Sequence, residues 1–377
     1  MNGEDRLRLR SVQGVKWTKY ADDVLPAFVA DMDFEPPIEV TQALEEMVRL
    51  RDYGYRFVDI DALIPTWVNW VRHHHGWEIP EEQCAIFTSS MHALEAVMVT
   101  CTQPGDGVVL FSPVYHPFRT AIEGAGRRLV DINLREPDWT IDFEKLKAAI
   151  DSRVKVVLFC QPHNPTGHVF SVDEINEFSE IVTANDLLVI SDEIWGDLIL
   201  GENPHQPLGK VNPALRERTV TIGSASKTFN LAGARCSVSH IGHASTREAL
   251  RILPDHYHGQ PSSFGAAAAV AAWTHGEPWL IDIKKQLLRN RDYLYEQIAS
   301  SDSGVRMHLP EATYLAWIDF SETRIQDNPA KHILKGSKVA LEPGEKFGTQ
   351  SNSFARLNFA TTPSILSEIV ERVLSAV

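Results

Sequence analysis

The sequence predicts an α/β protein, with a large unit on a mainly parallel sheet followed by a smaller α+β unit. Three observations predict it. Short runs rich in Val, Ile, Leu and Phe alternate with amphipathic stretches through the middle of the chain. Those runs lack in–out alternation, as parallel strands covered on both faces do. After about residue 275 the pattern changes to one long helix and then short strands. A chain of 377 residues has room for two units and buries about three quarters of its unfolded surface.

The elements follow in order. The first 45 residues show little periodicity and are expected to form an arm packed on the C-terminal unit. Gly107–Ser112, Val154–Cys160, Leu187–Ser191 and Thr219–Ser224 read as buried strands. Asp142–Asp151 and Ser171–Asn185 read as helices between them, and Ser171 followed by Glu174 makes a capping box. Strand–helix alternation of this kind gives a parallel sheet. Ala266–Ala272 (AAAAVAA) reads as a tightly packed helix. A long helix over Trp279–Ser300 precedes strands at Tyr314–Phe320, Val339–Glu342 and Phe354–Phe359, and Pro363–Val377 closes the chain as a helix. The expected division is an arm over 1–45, a large unit over 46–275 and a small unit over 276–377.

Composition narrows the function. Lys plus Arg number 36 against 50 Asp plus Glu, a net charge of −14. Such a chain repels phosphate backbones and anionic lipid, which argues against nucleic-acid and membrane partners. No stretch approaches the ~20 apolar residues of a membrane span, and MNGEDRLRLR lacks the apolar core of a signal peptide. Cys84, Cys101, Cys160 and Cys236 are widely spaced with no CxxC pair, so reduced, buried thiols in a cytoplasmic protein are expected.

Three polar segments follow predicted strands: QPHNPTG (161–167), SDEIW (191–195) and SASKTFNLAGAR (224–235). Open α/β sheets place ligands at the carboxyl ends of their strands, so the three point to one pocket. Lys227 stands out, because a lysine held in a partly desolvated site has a lowered pKa and forms Schiff bases. Asp192 comes next. Buried beside a cation, a carboxylate keeps that cation charged.

These residues, with VADMDF (29–34), YGYR (53–56), HGWEI (75–79), PEATYLAW (310–317) and RLNF (356–359), carry a resemblance. The chain resembles fold-type I pyridoxal-phosphate (PLP) enzymes of the class I/II aminotransferase superfamily over nearly its whole length. Within them it is most similar to the cystathionine β-lyase-like C–S lyases. The resemblance implies a PLP-dependent β-lyase acting on cystathionine or another S-substituted cysteine. Lys227 would hold PLP and act as general base. Asp192 would pair with the ring nitrogen, Asn164 would donate to the ring oxygen, and Tyr115 would stack on the ring. Ser224, Arg235 and the backbone amides of Ser90 and Met91 would take the phosphate. Tyr55 would reach the phosphate of a neighbouring subunit, which makes a homodimer necessary. Arg356 would grip the substrate carboxylate. Trp195 departs from the family, which commonly has Tyr or His at that position, and puts tuning of the ring oxygen in question. The segment Thr88–His92 also lacks a glycine usual there.

Other readings weigh less. An aminotransferase shares the same cofactor residues, and so does a decarboxylating oxidative deaminase acting on an S-conjugated cysteine. Ser224 to Lys227 matches S-x-x-K of serine acyl-enzymes, but the partner motifs are missing. His73, His74 and His75 are adjacent, so they point apart on a helix and read as a solvated helix end, with no metal expected. His116, His163, His256 and His258 read as structural neighbours of the pocket.

Overall fold

The computed structural model describes residues 2–254, 257 and 259–377. In chain order its strands are β1 (Leu25–Pro26), β2 (Cys84–Phe87), β3 (Gly107–Ser112), β4 (Arg128–Asn133), β5 (Val154–Cys160), β6 (Leu188–Asp192), β7 (Thr219–Gly223), β8 (Ser237–Ile241), β9 (Arg306–Met307), β10 (Leu315–Asp319), β11 (Val339–Ala340), β12 (Glu342–Pro343) and β13 (Phe354–Asn358). The main sheet has seven strands in the order β2-β8-β7-β6-β5-β3-β4. It is parallel except for β8, which runs against both neighbours.

The missing alternation in the sequence has a direct cause. On β3, β5 and β6, Val109, Phe111, Val157, Phe159 and Val189 fill one hydrophobic cluster, while Val108, Leu110, Val156, Leu158 and Ile190 fill the other. Both faces are dry, so both residue parities are apolar. The strands expected at Leu187–Ser191 and Thr219–Ser224 shift by a residue at three ends, β6 also starting one residue later. β6 runs one residue further, so Asp192 is its last residue. β7 stops at Gly223, because Ser224 turns to cap the next helix.

The helices cover these faces. Val172–Ala184 starts with the expected capping box: the Ser171 hydroxyl accepts from Glu174 N–H and the Glu174 carboxylate accepts from Ser171 N–H. The helix expected over 142–151 is shorter, Phe143–Ala149, because Ile150 is already extended. Ser263–His275 contains the alanine run, with Ala266, Ala267, Ala268 and Ala269 buried. A Cβ on Gly265 would stand 2.2 Å from the Ala234 carbonyl oxygen, so the backbones approach too closely for a side chain.

The C-terminal part carries the antiparallel sheet β12-β13-β10-β9, fronted by the long helix Glu277–Ala299. Two expectations need correction. The strand expected over Val339–Glu342 is two strands: β11 pairs with β1 of the arm, and β12 pairs with β13. The arm is not aperiodic. It holds helices Asn2–Ser11 and Val15–Thr18, and Ile38–Leu50 follows as a third. The arm does join the C-terminal part: Ala27 N–H donates to Ala340 O at 2.8 Å and Asn358 N–H donates to Ala27 O at 2.9 Å.

Candidate active site

Sequence order reverses across β3, which has β4 on one side and β5 on the other. At such a switch point the loops after neighbouring strands open a crevice. Three of the loops here follow β5, β6 and β7.

After β7, the Ser224 hydroxyl accepts from Ser226 N–H at 3.2 Å and caps the single turn Ala225–Thr228. The same hydroxyl donates to Cys236 O at 2.7 Å. Its hydrogen is therefore spent within the fold, and Ser226, which the sequence did not single out, also lines the crevice. Lys227 lies on this turn. Its Nζ donates to Ala30 O at 2.9 Å, and the Tyr314 hydroxyl donates to that same oxygen at 2.9 Å. Burial pushes the Lys227 pKa down, against the pull of Asp31 and Asp192. The Nζ also sits 5.7 Å from the Trp195 ring centre, and Tyr314 packs edge-on against that indole.

One side chain ties the Lys227 loop to VADMDF. The Asn230 side chain accepts from Met32 N–H at 2.9 Å and donates to Phe34 O at 2.9 Å. This fixes the segment whose Ala30 carbonyl holds the lysine. Asp192 ends β6 at 5% exposure. Burial pushes its carboxyl up to about 7, partly offset by the Ile194 N–H donated to Oδ1 at 3.2 Å.

Arg356, on β13, is 4% exposed. Its Nη1 donates to Asn164 Oδ1 at 2.9 Å and its Nη2 donates to Phe28 O at 3.0 Å. Its Nε has no partner among the described residues, and no carboxylate there forms an ion pair with it. A buried guanidinium without a counter-ion is costly unless an anion arrives. Asn164 sits in a loop closed by Gly167 N–H to His163 O at 2.7 Å. Gly167 has φ +72°, and a Cβ there would lie 2.4 Å from Pro310 Cβ, so only glycine fits.

These groups face one cavity of about 560 Å³, within the usual range for small-molecule sites. Ser90, Met91, Tyr115, Asn164, Asp192, Trp195, Ser224, Lys227, Arg235 and Arg356 all line it. Ser90 opens the helix Ser90–Cys101, capped by the Ser89 hydroxyl, so first-turn N–H groups without intrahelical partners lie at the wall. Tyr55 is not among the lining residues. It is 92% exposed, with its ring 6.1 Å from that of Phe57.

The histidines divide. His116 lines the cavity. His163 is buried beside it and bonds Thr166 through Nδ1 at 2.9 Å. His256 and His258 lie outside the described residues. The three adjacent histidines do not behave alike. His75 turns inward to Asp197 at 2.9 Å, while His73 and His74 approach Glu277 at 3.4 and 3.9 Å. The sequence therefore missed His75 as a structural hydrogen-bonding partner.

The donor set suits a phosphorylated pyridine aldehyde. A desolvated amine suits the aldehyde carbon, and a buried carboxyl titrating near 7 suits a ring nitrogen. A helix N-terminus beside Arg235 suits a phosphate. The cavity has further residues that sequence reasoning missed, among them Phe28 and Glu342. They carry no motif and come from distant parts of the chain.

A family model described as aminotransferase class I and II matches residues 29–373. Cystathionine beta-lyase PatB of Bacillus subtilis is 33% identical, with all of both chains covered. Cystalysin from Treponema denticola, solved with pyridoxal 5′-phosphate, superposes with a TM-score of 0.90 at 29% identity, over 97% of this chain and 95% of that one. The PLP-bound C–S lyase from Staphylococcus hominis gives a TM-score of 0.90 at 27% identity, with the same coverage of both chains.

Proposed function

We propose that this chain, which belongs to the class I and II aminotransferase family, is a PLP-dependent carbon–sulfur β-lyase. It cleaves cystathionine or another S-substituted L-cysteine to a thiol, pyruvate and ammonia. The observation that carries the reaction is the end-to-end likeness to a relative called cystathionine beta-lyase, at 33% identity.

The residues take the following parts. Lys227 would hold the cofactor, and its Nζ takes the proton from the substrate Cα. Its depressed pKa supports that basic role. Bound PLP supplies the electron sink that makes this proton acidic. Asp192 keeps a proton on the ring nitrogen, and Tyr115 covers one ring face. Asn164 orients the ring oxygen. Arg235 and the N–H groups of Ser90 and Met91 hold the phosphate, joined by Ser224 once its hydroxyl hydrogen turns from Cys236 O. Arg356 grips the substrate carboxylate, a role supported by its burial without a counter-ion. That grip sets the Cα–H bond toward Lys227. Trp195 would sit near the ring oxygen without the acid–base capacity of a phenol or imidazole.

The active unit is a homodimer in which Tyr55 completes the partner's phosphate site. Its exposure, with exposed Tyr53, Phe57 and Val58 beside it, supports a covered surface. The same reading divides the chain into an arm over 1–45, a large unit over 46–275 and a small unit over 276–377. A cytoplasmic setting is supported by the four unpaired cysteines.

Product analysis tests the reaction. The PLP-loaded protein is incubated with L-cystathionine and bulky S-substituted cysteines without a keto acid. Equal pyruvate, ammonia and thiol are expected. Strict dependence on an added keto acid would make it an aminotransferase, and carbon dioxide release would make it a decarboxylating deaminase.

A further inference from the structure

The reaction above uses Lys227, Asp192, Arg235 and Arg356. Three charged groups in the same cavity wall remain without a role: Lys19, Glu342 and Lys346. They sit together for topological reasons. Glu342 is the cross-strand partner of Arg356, so this wall begins one strand from the carboxylate grip. Lys346 follows on the next turn, with its Nζ 2.7 Å from Glu342 Oε1.

Lys19 comes from the arm, and the arm is pinned. Lys16 Nζ lies 3.0 Å from Asp33 Oδ2 and donates to Asp31 O at 3.0 Å, while Trp17 Nε1 donates to Asp33 Oδ1 at 2.7 Å. Lys16, Trp17 and Asp33 are all buried. This latch fixes the turn Val15–Thr18 and leaves Val15 and Lys19 on the cavity side. Lys19 is exposed, with its Nζ 4.6 Å from the Phe28 ring centre and 5.5 Å from that of Tyr20. No carboxylate among the described residues pairs with it.

Charge completes the argument. The cofactor and the amino-acid part of the substrate engage the cations and carboxylate already assigned. Lys346 is offset by Glu342, and Lys19 is offset by nothing. The wall therefore presents one net positive charge to whatever lies beyond the sulfur. We propose that this wall is a subsite for the leaving thiol and selects S-substituted cysteines whose far end carries a carboxylate, held by Lys19 and Lys346. It rests on the β-lyase reading for the identity of the substrate core. Neutral chains of the same length leave Lys19 without a partner and are disfavoured.

The test compares pairs that differ only in charge. L-2-Aminopimelate has no leaving group, and its 7-amide is nearly the same size. Calorimetric titration of the PLP-loaded protein should show the acid binding about tenfold tighter than the amide. Lys19→Gln should bring that ratio near one, and Lys346→Gln should reduce it. Equal affinities in the unmutated protein, or a ratio unmoved by Lys19→Gln, would overturn the subsite. Pyruvate release from S-(2-carboxyethyl)-L-cysteine and S-(2-carbamoylethyl)-L-cysteine separates the two claims. Pyruvate from both at equal kcat/KM sinks the subsite and leaves the lyase. Tight, acid-selective binding with no pyruvate from either sinks the lyase and leaves the subsite.

Discussion

Arg356 and Asn164 hold each other across the cavity: Nη1 of the arginine donates to Oδ1 of the asparagine at 2.9 Å. One side chain comes from the loop after β5 and the other from β13, so the contact joins the large sheet to the C-terminal one. It also orients the guanidinium plane. A carboxylate that docks on Arg356 meets a fork already aimed, with Nε still open.

Lysine keeps the charge at position 356 but loses the planar fork. Arg356→Lys should therefore raise KM for α-amino acid substrates by roughly tenfold or more, the scale of a charged hydrogen bond. Steady-state kinetics with one substrate over a range of concentrations checks this. An unchanged KM would place the carboxylate elsewhere.

Asp192 gives a pH signature in the cofactor-free chain. Burial raises its carboxyl from the ordinary 3.8 to about 7. Between those values the folded state holds a proton that the unfolded state has lost, so stability falls as pH rises through this window. Above pH 7 the full penalty is present. Asp192→Asn removes the charge and keeps an acceptor for Ile194 N–H. Urea unfolding should show the variant gaining on the parent from about pH 4 to 7, with a constant gap beyond. A gap that does not change with pH would mean the carboxyl ionises normally.

His168 also loses stability as pH rises, but by giving up a favourable charge rather than by gaining a penalty. It lies 3.4 Å from Glu174 and 3.4 Å from Glu311. Burial pushes its pKa down, but the two carboxylates more than reverse this and hold it at about 9. A folded pKa above the unfolded one gives stability that is complete below about 6.5 and lost as pH rises through about 9. His168→Gln should thus cost most near pH 6, with the difference shrinking toward pH 9.5. The same urea series reads it, and a cost independent of pH would mean that the histidine titrates alike in the folded and unfolded chain.

Much of the site was legible because chemistry follows apolar runs. Lys227 and Asn164 come just after a strand and Asp192 ends one, and in each case the strand's apolar run announces it. The capping box at Ser171 and Glu174 was legible for the same local reason. Other features had no local signal. The helix Asn2–Ser11 is polar almost throughout and of its described side chains buries Leu9, so no apolar stripe marks it. Ile38–Leu50 did carry one, at Val40, Leu44 and Met47, and a window starting after Pro36-Pro37 would have found it. The Ala30 carbonyl that receives Lys227 is backbone and carries no residue code. Lys19 and Lys346 meet in one wall only because β1 pairs with β11, an encounter across more than 300 residues of sequence.

Tyr55 gives the test that separates one chain from two. Its side chain is 92% exposed and outside the cavity, so within a single chain its hydroxyl has no chemistry to do. If it serves the neighbouring subunit, Lys227→Ala and Tyr55→Phe damage a site from opposite chains. Each homodimer is then impaired at both sites. A mixed dimer places both changes in one site and leaves the other intact. Unfolding the two variants together and refolding them with PLP should therefore restore about a quarter of the unmutated pyruvate release, since half the dimers are mixed and each has one good site. Activity no higher than the mean of the two parents would mean that Tyr55 acts within its own chain or not at all.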